Sequence, residues 1–230
     1  MKPFLIASAL SCMALLTLAG QDTRQALQQK FTEIKESAAA NGAALRQYTW
    51  TEHTDLILKG DVKSTKDQMC RYGPDGQVQK TEIGSSPQKQ LRGVRGKIVE
   101  KKKGELEDYM ERAVALIHNY VPPSPQGMQQ AYQGGNVSLV LAGAGNTQLV
   151  FKNYVKPGDT MTVSFDPAAR MLRALNVNSY LDDPKDIVTL EVTFQTLPDG
   201  TRYSSTTTLD AAAKHLQVRT ENANYQKIAG

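Results

Sequence analysis

The stretch MTVSFDPAARMLRALNV, residues 161–177, decides how this chain folds. Met161, Val163 and Phe165 alternate with Thr162 and Ser164, then Asp166-Pro167 breaks the run. A second apolar-rich run follows, with Met171, Leu175 and Val177 in one phase. Period two around a tight Asp-Pro turn is the pattern of an antiparallel hairpin. One face of such a hairpin is wet and the other dry, so something must cover the dry one.

The same period extends on both sides. In YTWTEHTDLIL, Tyr48, Trp50, Leu56 and Leu58 share a phase, and Thr49, Thr51, His53 and Asp55 share the other. VKSTKDQMCRY and QVQKTEI follow across the short turns Lys59-Gly60-Asp61 and Gly73-Pro74-Asp75-Gly76. Connections this short exclude crossovers, so these three strands are expected as a meander. Val137, Leu139 and Leu141, then Leu149 and Phe151, precede the opening hairpin. Val188, Leu190, Val192 and Phe194 come after it. Leu197-Pro198-Asp199-Gly200 is a strong hairpin turn, and two further strands run to the end of the chain.

Helical periodicity interrupts this pattern twice. Residues 22–40 place Leu27, Phe31 and Ile34 on one face, with Asn41-Gly42 as the expected stop. A longer helical stretch carries Leu106, Tyr109, Met110, Ala113, Ile117 and Tyr120 on one face and ends at Pro122-Pro123. The acidic Glu105, Glu107 and Asp108 favour a start near Gly104, although the pattern reaches back to Lys97. Ser124-Pro125 caps a short helix that Gly134-Gly135 ends.

Residues 1–20 read as a secretory signal: Lys2, an uncharged apolar run, then small residues with cleavage near Ala19 or Gly20. A lipoprotein signal ending at Cys12 is the weaker alternative. Residues 21–230 are then one domain, large enough for a real core. Removing the signal leaves Cys70 without a partner for an internal disulfide. Export without a disulfide favours a Gram-negative periplasm. A formal charge of +4 and 7% aromatic content are not the footprint of a nucleic-acid binder. Residues 21–230 hold no segment apolar enough to span a membrane, so a soluble mature form is expected.

An antiparallel sheet with one solvated face must cover the other. The economical α+β arrangement is a strongly curved sheet, a half-barrel of about ten strands, with two main helices on its concave face. The exported chain, the N-terminal helix, three strands, the helical insertion and the long antiparallel run resemble the periplasmic lipoprotein carriers LolA and LolB and the lipid-binding-like domain of RseB. The unit VSFDPAARMLRALNV is similar to the strand, Asp-Pro, strand unit of that superfamily. The resemblance implies a LolA-like half-barrel with a helical lid and an apolar cavity for acyl chains, hence lipid or lipidated protein as partner. No cofactor is expected.

Signals for catalysis are weak. His53, His118 and His215 stand in no metal-ligand spacing, and neither a nucleophile elbow nor a phosphate-cradling loop is present. Asp182, Asp183 and Asp186 around Pro184 read as a solvated turn, because a calcium loop needs more oxygen ligands at regular spacing. The expectation is a binding protein. Its ligand-cavity candidates are Tyr48, Trp50, Leu56, Leu58, Met110, Ile117, Leu139, Leu141, Phe151, Met161, Val163, Phe165, Leu190, Val192 and Phe194. Two charges share the dry phase: Glu52, and Arg173 beside Met171 and Leu175. A charge there must be paired, wet or displaced by a bulge. If the phase holds, Arg173 faces a cavity and meets an anionic head group. Lys97, Lys101, Lys102 and Lys103 belong to a basic stretch suited to a solvated face or to an anionic membrane surface. The alternative to a carrier is an envelope interaction or sensor module with a filled core.

Overall fold

The computed structural model describes residues 29, 32, 36, 39–85, 94–121, 123–142, 146–166, 168 and 171–228, without the side chains of 94–103, 125, 142, 146 and 171. The proposed signal and the inward residues Leu27, Phe31 and Ile34 lie outside the described residues. The strands are β1 (Tyr48–Leu58), β2 (Asp61–Tyr72), β3 (Val78–Ser85), β4 (Val137–Ala142), β5 (Asn146–Lys152), β6 (Thr160–Asp166), β7 (Met171–Tyr180), β8 (Ile187–Thr196), β9 (Arg202–Ala211) and β10 (Leu216–Lys227). Between β3 and β4 come two helices, α1 (Val94–Ile117) and α2 (Pro125–Gln133).

All ten strands form one antiparallel sheet, ordered β3-β2-β1-β10-β9-β8-β7-β6-β5-β4. It does not close into a barrel: β3 and β4 are its two edges. Tight turns make β4 to β10 a meander, and pairing of β1 with β10 joins it to the first three strands. This order explains the helical insertion. The chain leaves at one edge and must re-enter at the other. Nine interstrand spacings amount to about 43 Å in a flat sheet. A helix of 24 residues spans about 36 Å, a length comparable with that width.

Cross-strand register sorts side chains into rows. Phe151, Met161, Val177, Leu190, Leu209, Val218 and Leu56 line up across seven strands. The neighbouring row, Val150, Thr162, Asn176, Glu191, Thr208, Arg219 and Asp55, faces the other way. Tyr109, Ala113, Leu116 and Ile117 of α1, with Met128 and Ala131 of α2, share one core with the apolar rows. Phe151 and Met161 are fully buried, and Val163, Phe165, Leu190 and Val192 nearly so. Each such side chain contributes about 1.5–3 kcal/mol relative to an exposed one. The six-residue helical face expected from spacing is therefore the packed one.

Buried polar contacts fix α1 in place. Asp159 accepts the backbone N–H groups of Tyr154 (2.6 Å), Val155 (2.9 Å) and Lys156 (2.8 Å), which shapes the β5–β6 turn. The Tyr120 hydroxyl, just beyond α1, donates to the same carboxylate at 2.5 Å and lies 2.8 Å from Ser179 Oγ. Asn119 Nδ2 donates to the carbonyls of Ala115 and Leu116, each at 3.1 Å, and stops the helix. Tyr109 donates to Asp186 at 2.5 Å, and Arg112 pairs with Asp182. The acidic turn thus anchors a helix, and among the described residues no His, Cys, Asp and Glu group is arranged to hold a metal.

Two helix boundaries differ from expectation. Helix α1 begins at Val94, earlier than Gly104 or Lys97, so Glu105, Glu107 and Asp108 are interior. The N-terminal helix runs through Asn41-Gly42 to residue 45. Asn41 acts differently: its amide donates to the Arg202 carbonyl (2.7 Å), and its carbonyl oxygen accepts the Arg202 N–H (2.6 Å). That clip pins the helix beside the β8–β9 turn. The short helix matches its reading, with Ser124 Oγ accepting the Gly127 N–H at 2.8 Å and Gly134 as C-cap.

Candidate ligand-binding face

The helix-bearing side of the sheet is the candidate site. Helix α1 holds the strand ends near the β7–β8 connection, through Tyr109, Arg112 and Tyr120. The N-terminal helix is pinned at the opposite strand ends, beside Arg202. Among the described residues, coverage between and beside these anchors is incomplete. Leu56, Leu58, Leu172, Phe194 and Val218 pack against the core yet are only partly buried, as is Met110 on α1. Large apolar side chains left half-covered beside a filled core form a surface that takes further apolar material.

Most of the expected lining residues do lie on this side. Phe151, Met161, Val163, Leu190, Val192 and Ile117 are buried in the shared core, where they touch protein, and Phe165 is buried too. Two expected residues are not enclosed. Leu139 and Leu141 of β4 are 41% and 82% exposed. Their phase is as read, since Leu139 lies opposite the buried Leu149, but β4 is an edge strand with no neighbour beyond it. Apolar pattern reports which face a residue takes, not whether anything covers it.

Arg173 is the clearest correction. Ser164 pairs with Ala174 and Phe165 with Leu172, so Arg173 is the extra residue of a β-bulge. The bulge turns Leu172 towards the core and sends Arg173 out, with its side chain 52% exposed and paired to Asp166 at 2.7 Å. Its guanidinium is solvated and matched by Asp166, not enclosed in an apolar cavity as expected. Glu52 behaves oppositely. It keeps the dry phase, is buried, and is neutralised by Lys80 at 2.6 Å across β2.

Beyond Glu52 the face is aromatic. Trp50 stacks on Tyr225 with ring centroids 5.5 Å apart and meets Tyr72 at 5.4 Å, while Tyr203 lies 4.3 Å from Tyr225. Trp50 Nε1 donates to Asn222 at 3.1 Å, and Tyr48 donates to Asp199 at 2.5 Å. Trp50 and Tyr48, expected to line a cavity, are instead packed against protein groups. Burial pushes the Tyr225 hydroxyl above its ordinary pKa, and the same cause acts on the Cys70 thiol, which is wholly buried beside Trp50. Tyr225 was not legible as a partner. It reaches Trp50 because Asn224, at φ 55°, absorbs a bulge in β10.

The polar face carries the other charges. His53 Nδ1 lies 2.6 Å from Asp67 and its Nε2 3.2 Å from Asp55. The hydrogen bond to Asp67 holds the imidazole above its ordinary 6.5, against a smaller opposing effect of burial. Glu221 lies opposite His53 on β10 and pairs with Arg219. A shallow recess of about 330 Å³ opens on this side between Glu191, Thr193, Thr206, Thr208, Gln217 and Arg219. His118 and His215 are exposed. Lys97, Lys101, Lys102 and Lys103 fall in the N-terminal half of α1, and their side chains lie outside the described residues. No protein-family model matches the chain, and no curated protein matches it.

Proposed function

We propose that this is an exported periplasmic carrier, related to the LolA, LolB and RseB-like proteins, that shields lipid or lipidated cargo against the apolar side of a curved sheet. The helical segments serve as the lid, and the protein performs no chemistry on what it carries. One observation carries this reading: Leu56, Leu58, Leu172, Phe194 and Val218 extend the buried core as a half-covered apolar surface. An acyl chain needs such a surface, at about 0.8 kcal/mol per buried methylene. No helix among the described residues is long and apolar enough to cross a membrane. In this reading Lys97, Lys101, Lys102 and Lys103 bring α1 to an anionic membrane surface, with an attraction that salt weakens.

Native mass spectrometry of the mature protein tests the reading. Co-purified lipid, lost on delipidation and regained from phosphatidylethanolamine micelles, is the expected result. A bare protein that ignores added lipid refutes it. That result would favour a second reading, an envelope interaction module. Its support is the recess on the polar face, lined by threonine, Glu191 and Arg219 and open to solvent.

A further inference from the structure

The two edges of the sheet are built differently. The β3 edge carries Lys80 and Glu82 and a register irregularity opposite Asp67-Gln68, devices that discourage further strand pairing. The β4 edge, Val137–Ala142, reads VSLVLA, with no charge and no proline. Leu139, Val140 and Leu141 are 41%, 43% and 82% exposed. Leu139 lies opposite Leu149 on the apolar side, and Val140 lies opposite Gln148 on the polar side. The strand is thus apolar on both faces where it meets solvent.

The outward backbone groups can be assigned. Lys152 N–H donates to the Asn136 carbonyl at 2.9 Å, which makes those two residues a hydrogen-bonded pair. Pairs alternate along an antiparallel ladder. Ser138, Val140 and Ala142 therefore bond to β5, and Val137, Leu139 and Leu141 aim N–H and C=O groups away from the sheet.

We propose that the β4 edge is a docking site for an extended apolar segment of a partner polypeptide, added to the sheet as an eleventh strand. An acyl chain fits less well, because it leaves the outward N–H and C=O groups unpaired. A second copy fits less well also. Six residues of strand bury far less than the roughly 800 Å² per partner of a lasting interface. Short, reversible strand addition is the mode that an edge of this length supports. The inference goes beyond lipid carriage and does not depend on it.

The test uses the intact mature protein and a fluorescein-labelled, lysine-flanked peptide of alternating valine and threonine, read by fluorescence anisotropy. A second peptide carries N-methyl groups on alternate backbone amides. Saturable binding is expected, weakened at least about tenfold by N-methylation and by Leu139→Pro. That proline deletes an outward N–H and spares the β5 ladder. The N-methylated peptide keeps the test decisive if Leu139→Pro does not fold. No saturable binding overturns the proposal, and so does binding indifferent to N-methylation or displaced by phospholipid. A dimer in sedimentation velocity that Leu139→Pro abolishes also overturns it, in favour of a second copy.

Discussion

Removing the Tyr120 hydroxyl tests how α1 is held on the sheet. Tyr120 is fully buried. Its hydroxyl donates to Asp159 at 2.5 Å, and that carboxylate also accepts three backbone N–H groups of the β5–β6 turn. Burial first, and the Asp159 hydrogen bond second, push the hydroxyl above its ordinary pKa. A hydrogen bond to a charged group is worth about 1.5–3 kcal/mol net. Tyr120→Phe keeps the ring and its packing, and three backbone N–H groups still donate to Asp159, so a loss of about 1.5–2 kcal/mol is expected. Asp159→Ala removes all four bonds and leaves buried donors without partners, and about 3–4 kcal/mol is expected. For a chain of this size each kcal/mol moves Tm by roughly 2–4 °C. Equilibrium urea unfolding of both single variants and of the double variant measures the coupling. The double should cost about 1 kcal/mol less than the sum of the singles. Additivity within about 0.3 kcal/mol would refute the link between α1 and the turn.

Four further outcomes follow from the same contacts. Lys80→Met strands the buried Glu52 carboxylate; Lys80 is itself partly exposed, so the loss should be about 1–2 kcal/mol, and adding Glu52→Gln should restore most of it in urea titrations. His53 is held above its ordinary 6.5, chiefly by Asp67, with Asp55 and Glu221 also facing it. Its contribution is complete below the unfolded pKa and is lost as pH rises through the folded value, so wild type should exceed His53→Gln in stability by more at pH 5.5 than at pH 8.5. NMR titration of the imidazole at or below 6.5 would contradict this. Cys70, buried with a raised thiol pKa, should react with Ellman's reagent in urea and stay silent in the native protein. Phe194→Ser, at a half-buried position, should weaken lipid uptake at least about threefold while the protein stays folded; unchanged uptake would remove Phe194 from the cargo surface.

Strand count and the order within each meander were legible because each strand carries its own period and each turn its own chemistry, but the β1–β10 pairing that joins the meanders was not. Asp166-Pro167 and Pro198-Asp199-Gly200 punctuate runs of alternating residues, and hairpin logic then leaves one order for β4 to β10. What sequence could not show is whatever depends on a distant neighbour. Trp50 and Tyr225 are far apart in the chain and meet only through the β1–β10 pairing and the bulge at Asn224. The boundaries of α1 were obscured for a local reason. The acidic residues that mark a helix start sit within it, since the helix begins at Val94, about three turns before Glu105.

Arg173 shows where phase reasoning breaks. Over residues 171–177 the alternation assigns Arg173 to the dry side with Met171, Leu175 and Val177, and strict period two offers no escape. One inserted residue changes that. Leu172 takes the inward position opposite Phe165, and Arg173 swings to Asp166. The unpaired charge itself was the signal, since burying it alone costs more than disturbing one ladder position. Glu52 met the same conflict and resolved it by pairing, because Lys80 lies within reach two strands away. At Arg173 the nearest carboxylate, Asp166, sits at the hairpin turn on the way to solvent. Which solution a dry-phase charge adopts is therefore set by where its counter-charge stands. Moving that counter-charge should move the outcome: in Asp166→Asn, Arg173 loses its partner but stays outside, because the bulge and the packing of Leu172 hold it there.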